Sequence, residues 1–171
     1  MASKCYENYP AWIVLVSNLL GISIYAIGAY LMFRFGIIWF FVYLVYIIGL
    51  ELRVMMVSCT NCYYYGKVCA FGRGKLCSSF LKKGMFAKYH NRKITWKDLV
   101  PDFMVSLIPM FVGAILLIKN FEWLILILII ILALLAFFGT GFDRSQLACK
   151  YCRQRELGCP AEQMFRKKAG K

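Results

Sequence analysis

Four long apolar stretches, near residues 11–33, 37–57, 100–118 and 121–141, alternate with polar, cationic segments along this chain. Each is close to the roughly 20 residues that a helix needs to cross a hydrocarbon core of about 30 Å. The fourth has no polar residue from Trp123 to Phe138. None carries a polar face at the 3.6-residue period that a soluble amphipathic bundle would need. The pattern predicts an all-α integral membrane protein with four transmembrane helices, in a single membrane domain over 1–171. The first stretch is too long for a signal-peptide core and lacks a small-x-small cleavage site, so it is expected to be a mature helix.

Local signals refine these helices. Pro10 and Pro101 are placed to open the first and third, where a missing N–H costs nothing. Pro109 predicts a kink in the third. Ser17, Gly21 and Gly28 fall on one face of the first helix and offer close approach to a neighbour in lipid. Trp12, Trp39, Phe40 and Phe41 fit interfacial belts. The run Phe80 to Tyr89 reads either as a short amphipathic surface helix or as a solvated loop.

A duplication organises the chain. Cys59-x-x-Cys62-x6-Cys69 recurs as Cys149-x-x-Cys152-x6-Cys159, at a constant offset of 90 residues. Pro10 and Pro101, and Arg53 and Arg144, follow at 91. The chain therefore reads as two duplicated helical hairpins, about 8–69 and 99–159, each closed by a cytoplasmic Cys-x2-Cys-x6-Cys motif. Between and after them lie a basic Cys/Gly-rich loop (58–99) and a basic Cys-containing tail (142–171).

Charge sets the expected orientation. Of 21 Lys and Arg, seventeen lie in this loop and tail, whereas the two remaining connections hold only Arg34 and Lys119. By the positive-inside rule the loop and both termini are cytoplasmic, in a multi-pass protein of the cell membrane. Cytoplasmic thiols stay reduced, so a cysteine framework there points to metal rather than to structural disulfides. The net charge of +13 suits anionic lipid at that face, and equally an acidic protein partner. Topology already explains the basic bias, so nucleic acid is not called for.

Thiolates are the usual ligands of structural zinc and of iron–sulfur clusters. The candidate metal ligands are Cys59, Cys62, Cys69, Cys77, Cys149, Cys152 and Cys159, and the cofactor is zinc or an iron–sulfur cluster. Either each motif has its own site, with Cys77 completing the first and Cys5 the second, or Cys59, Cys62, Cys149 and Cys152 share one ion. Gly66, Gly72 and Gly74 beside Lys67, Arg73 and Lys75 do not match a P-loop and read as turns around a metal site. Glu51 and Arg53 can reach the cytoplasmic surface or pair with Asp143 and Arg144, and His90 is the one histidine. No nucleophile or acid–base constellation identifies an enzyme.

The plan of four spans with cysteine pairs resembles, in architecture alone, the quinone-coupled thiol oxidoreductases of disulfide formation. Those work with thiols on the oxidising face. The expected role is a scaffold or electron relay for a partner. The alternatives are a membrane thiol-disulfide oxidoreductase and a metal sensor or transporter.

Overall fold

The computed structural model describes residues 5–85, 96–157 and 159. Its described elements are helical, with an isolated parallel bridge between Tyr6 and Cys152. Helix α1 spans Ala11–Phe35 and α2 spans Ile37–Val57. A short 3-10 turn, Cys59–Asn61, and α3, Arg73–Phe80, follow. Helix α4 spans Trp96–Lys119 and α5 spans Trp123–Leu134. Beyond α5 the helix continues in widened π form over Leu135–Gly139, narrows over Thr140–Phe142, and widens again over Asp143–Ala148. The four-residue α6, Arg153–Glu156, ends the described elements. Four helices are long and apolar enough to cross a membrane: Ala11–Phe35, Ile37–Asn61, Asp98–Lys119 and Trp123–Ala148.

Several boundaries follow from local chemistry. Pro10 immediately precedes α1, and its carbonyl accepts from the amides of Ile13 and Val14. Pro101 does not open α4, because the helix starts five residues earlier and carries both Pro101 and Pro109 inside it. Asp98 in the first turn suits the positive end of the helix dipole there. The Thr140 hydroxyl bonds back to the Ala136 carbonyl, in the same stretch where the fourth helix departs from α geometry. Such back-bonds compete with the backbone ladder. The surface segment after the first cysteine motif is helical only over α3. Residues 81–85 are not helical, and the remainder of the expected Phe80–Tyr89 run lies outside the described residues, as does His90.

The chain packs as two units, considered separately. One is drawn from Asn18–Glu51 and Lys97–Phe142. In it, Ile24 and Leu31 of α1 meet Ile125 and Leu132 of α5, each pair seven residues apart. That spacing is the signature of a left-handed helix seam. A second cluster joins Met32, Tyr43, Ile47 and Val105. Gly28 admits the Tyr43 ring, since a Cβ there would fall 2.3 Å from the tyrosine oxygen. The small-residue face is thus used at Gly28, but not at Gly21, which has nothing within 4 Å. The hairpin turns are short: Gly36 alone separates α1 from α2. Arg34 meets Glu122 across them at 2.5 Å.

The other unit takes its residues from Met1–Ser17, Leu52–Trp96 and Asp143–Lys171. Its core is Tyr9, Ile13, Tyr64, Ala70 and Ala148, with Tyr6, Phe71, Cys62, Cys69 and Cys152 packed against it. Six of the seven candidate ligands and the ends of the long helices nearest to them in sequence therefore belong to one packed body, together with Cys77 in α3.

Candidate functional site

Both Cys-x-x-Cys loops fold alike. In the first, the Cys62 amide donates to the Cys59 carbonyl at 3.3 Å, and the Tyr65 amide to the Cys62 carbonyl at 3.1 Å. In the second, the Cys152 amide donates to Cys149 at 3.3 Å and the Arg155 amide to Cys152 at 3.1 Å. The third cysteine of the first motif begins another turn, with the Gly72 amide on the Cys69 carbonyl at 2.9 Å. Gly66 and Gly72 adopt positive φ, of 78° and 68°, which only glycine takes without cost. Gly66 and Gly72 are therefore turn residues, whereas Gly74, also expected in a turn, lies buried in the first turn of α3.

The two loops also hold each other. The Tyr63 amide donates to Gln154 Oε1 at 2.8 Å. The Arg153 amide donates to the Tyr64 hydroxyl at 3.1 Å. Residues 63 and 153, and 64 and 154, are equivalent positions at the offset of 90 that relates the cysteines. Each loop thus gives the amide after its second cysteine to the side chain two places after the second cysteine of the other. The amino-terminal segment completes the clamp. The Tyr6 amide donates to Tyr151 at 3.0 Å, Tyr9 to Val68 at 3.0 Å, and the Tyr64 hydroxyl to the Tyr6 carbonyl at 2.6 Å.

None of the eight cysteines forms a disulfide. Burial pushes the Cys62 thiol up to about 11, against the opposing pull of the Tyr64 and Tyr63 amides on its sulfur. Burial likewise pushes Cys152 up to about 12, opposed by the amides of Gln154 and Arg155 and reinforced by Cys62 and Cys149. The Gly74 amide points at the Cys69 sulfur, 3.4 Å away. Amide donors of this kind favour a sulfur carrying negative charge. Cys59 interacts electrostatically with Cys69, Arg73, Cys77 and Cys62. Cys149, exposed at the surface, interacts with Cys159, Arg144, Arg155 and Asp143. Cys62 interacts with Cys69 and Cys159. The two motifs are therefore electrostatic neighbours through Cys62. Cys77 is fully buried, and its thiol points to the Met55 carbonyl at 3.8 Å.

The sulfurs are neighbours without being gathered as one ion would gather them: among the described residues, no three His, Cys, Asp or Glu side chains are placed to hold a metal ion. One feature of the site is absent from the sequence-derived candidates. Gln154 is 2% exposed; its Oε1 takes the Tyr63 amide and faces the Cys62 sulfur at 3.7 Å, while its Nε2 has no hydrogen-bond partner among the described residues. Asp143, 3% exposed, accepts from the Ser17 hydroxyl at 2.7 Å. Glu51 accepts from Tyr25 at 2.6 Å. The duplication could have pointed to position 154, but its counterpart is Tyr64, and unlike residue types hide the equivalence.

No protein-family model, curated protein or solved structure matches this chain.

Proposed function

We propose that this chain is a small integral membrane protein whose two cysteine motifs, duplicated ends of two helical hairpins, bind zinc or an iron–sulfur cluster at the cytoplasmic face. There it serves as a scaffold or electron relay for a partner. The reading rests above all on the reciprocal bonds between the loops, Tyr63 to Gln154 and Arg153 to Tyr64. They give two thiol pairs matching geometry and bring them into one packed body. Amides directed at the sulfurs of Cys62, Cys69 and Cys152 supply what a thiolate ligand needs around it. Ligation would displace the thiol protons and draw the sulfurs within about 4 Å of one another, the spacing set by metal–sulfur bonds of ~2.3 Å. Cys59, Cys62, Cys149 and Cys152 are the leading ligands, with Cys69, Cys159 and Cys77 after them. Both termini would be cytoplasmic, on the distribution of basic residues.

The oxidoreductase alternative would use the same thiol pairs, and one experiment separates the two readings. The test is anaerobic purification under reducing conditions, followed by metal analysis and visible absorption. Bound zinc, or iron with labile sulfide, is expected. Serine at Cys62 or Cys152 should lower the metal content. A reduced protein that holds neither metal nor cluster would end this reading.

A further inference from the structure

The chain that follows the first cysteine motif comes back to the end of a spanning helix. Two side chains finish that helix. The Thr60 hydroxyl donates to the Met56 carbonyl at 2.7 Å, and the Asn61 side-chain amide donates to the Val57 carbonyl at 3.2 Å. Carbonyls left open in a last turn need such donors, and the candidate span itself closes at Asn61. Residues 60 and 61 therefore mark the level at which hydrocarbon gives way to headgroups. The Gly84 amide donates to the Thr60 carbonyl at 3.0 Å, and the Tyr65 hydroxyl donates to the Leu81 carbonyl at 2.6 Å. Gly84 is thereby held at that level, and its neighbours with it.

Helix α3 leads into this segment with two unlike faces. Gly74 and Cys77, three residues apart, are buried. Leu76 and Phe80, four apart, share an exposed side, at 50% and 81%. Met85, beyond the helix, is 74% exposed. Lys75, Lys82 and Lys83 are exposed among them. Bare apolar groups of this size are unfavourable in water, yet the backbone that carries them is tied down by the bonds above. Apolar residues interleaved with lysines suit the boundary between headgroups and acyl chains. We propose that Leu76, Phe80 and Met85 dock into that boundary of the bilayer which the spans cross, with Lys75, Lys82 and Lys83 against anionic phospholipid. The contact is made by the last turn of α3 and the chain after it, which turns extended at Leu81, rather than by a surface helix over Phe80–Tyr89. This docking depends neither on a metal nor on which side of the membrane the loop faces. It would also brace the cysteine loop, because the other face of α3 packs Gly74 on the carbonyls of Tyr64 and Lys67.

A photoreactive side chain reads the occupant directly. Phe80→p-benzoylphenylalanine is made in the full-length protein, which is kept reduced and reconstituted in nanodiscs of phosphatidylcholine, alone or mixed equally with phosphatidylglycerol. Met85→p-benzoylphenylalanine is a second probe. Ser78→p-benzoylphenylalanine is the control: Ser78 is exposed, and two residues from Phe80 it stands nearly opposite on the helix. On illumination, positions 80 and 85 should yield phospholipid adducts, found by mass spectrometry, far more often than position 78. In mixed nanodiscs at low salt, phosphatidylglycerol adducts should outnumber phosphatidylcholine adducts roughly fivefold, the bias of one lysine at an anionic surface. Lys82→Gln together with Lys83→Gln should bring that ratio back toward one, as should added salt. Lipid adducts no more frequent at 80 and 85 than at 78, or cross-links that run only to protein, would overturn the docking and assign this face to a protein partner. Lipid adducts with no preference for phosphatidylglycerol would overturn the part given to the lysines.

Discussion

The hydroxyl of Tyr43 donates to the backbone carbonyl of Val105 at 2.8 Å, across from α2 to α4. Val105 stands four residues before Pro109, and proline has no N–H to give to that carbonyl. A side chain from the neighbouring helix therefore supplies the bond that Pro109 leaves unmade, at a place where lipid offers no substitute. Gly28 makes room for the ring that delivers it.

Tyr43→Phe should accordingly weaken the helix bundle by roughly 0.6 kcal/mol, the average for side-chain hydrogen bonds inside membranes, and by no more than about 1.7 kcal/mol. Pro109→Ala restores the N–H, so the Tyr43→Phe change should cost less in that background. Reversible unfolding in detergent, run as a double-mutant cycle, reads the difference. Equal costs in both backgrounds would show that the hydroxyl does not serve the orphaned carbonyl.

The thiols set a pH dependence. Cys62 and Cys152 rise from an ordinary value near 9 to about 11 and about 12. Raised thiols favour the folded state while they are neutral. Their contribution is complete below pH 9 and is lost as pH climbs through 11 and 12. In the metal-free protein, proteolysis of the cysteine loops should therefore increase above pH 9. Burial raises the Cys149 thiol as well, so access sets the order: iodoacetamide should modify exposed Cys149 before half-buried Cys62 and Cys152. Mass spectrometry of timed samples checks the order.

Metal uptake should show the same linkage. Four protonated thiols closing on one ion must release up to about four protons. In weakly buffered solution the release is measurable as acidification on adding zinc to reduced protein. Apparent affinity should also increase steeply with pH between 6 and 8. Uptake without proton release would mean that the ligands are not these thiols.

Gly74 predicts a packing failure. A Cβ at this position would lie 2.1 Å from the Tyr64 carbonyl oxygen and 2.6 Å from that of Lys67, both backbone atoms that cannot swing aside. Gly74→Ala should therefore open the turn whose Lys67 amide meets the Tyr64 carbonyl at 3.0 Å. Tyr64 would move with it, and with Tyr64 the acceptor of Arg153. Lost metal and faster tryptic cleavage near Lys67 are expected, with the helical signal of the spans retained.

Orientation has a direct check. Cys149 is exposed, and the proposed orientation would put it in the cytoplasm. A membrane-impermeant maleimide should label it in inside-out vesicles and not in intact cells. The opposite result would put the thiols on the oxidising side and bring disulfide chemistry forward.

The spans were legible because lipid imposes a length and an apolar composition that no local detail obscures. Their ends were less so. Pro101 suggested a start, yet α4 begins at Trp96 and carries Pro101 inside it; the Pro101 oxygen accepts from Tyr46 at 2.9 Å, which ties α4 to α2 without serving the carbonyl four residues earlier that the proline leaves without an N–H. The repeated cysteines marked the unit they belong to, but not how the two loops meet. That depends on Tyr64 and Gln154, residues of different chemistry that do one job through different atoms. The π-widened turns after Leu134 leave no periodic trace in an almost uniformly apolar run.

The clamp around the cysteines is assembled from the start, the middle and the end of the chain: Tyr6 and Tyr9, Tyr63 and Tyr64, Tyr151 to Gln154. A ribosome delivers these in sequence, with two pairs of spans inserted between the deliveries. The first cysteine loop can bond to Tyr6 and Tyr9 as soon as it emerges, but its bonds to residues 153 and 154 must wait until those are made. Closure of contacts so distant along the chain is slow. Completion of the clamp thus reports that synthesis and insertion of everything before it have succeeded, and a chain stalled after its second span would lack the bonds that residues 153 and 154 supply.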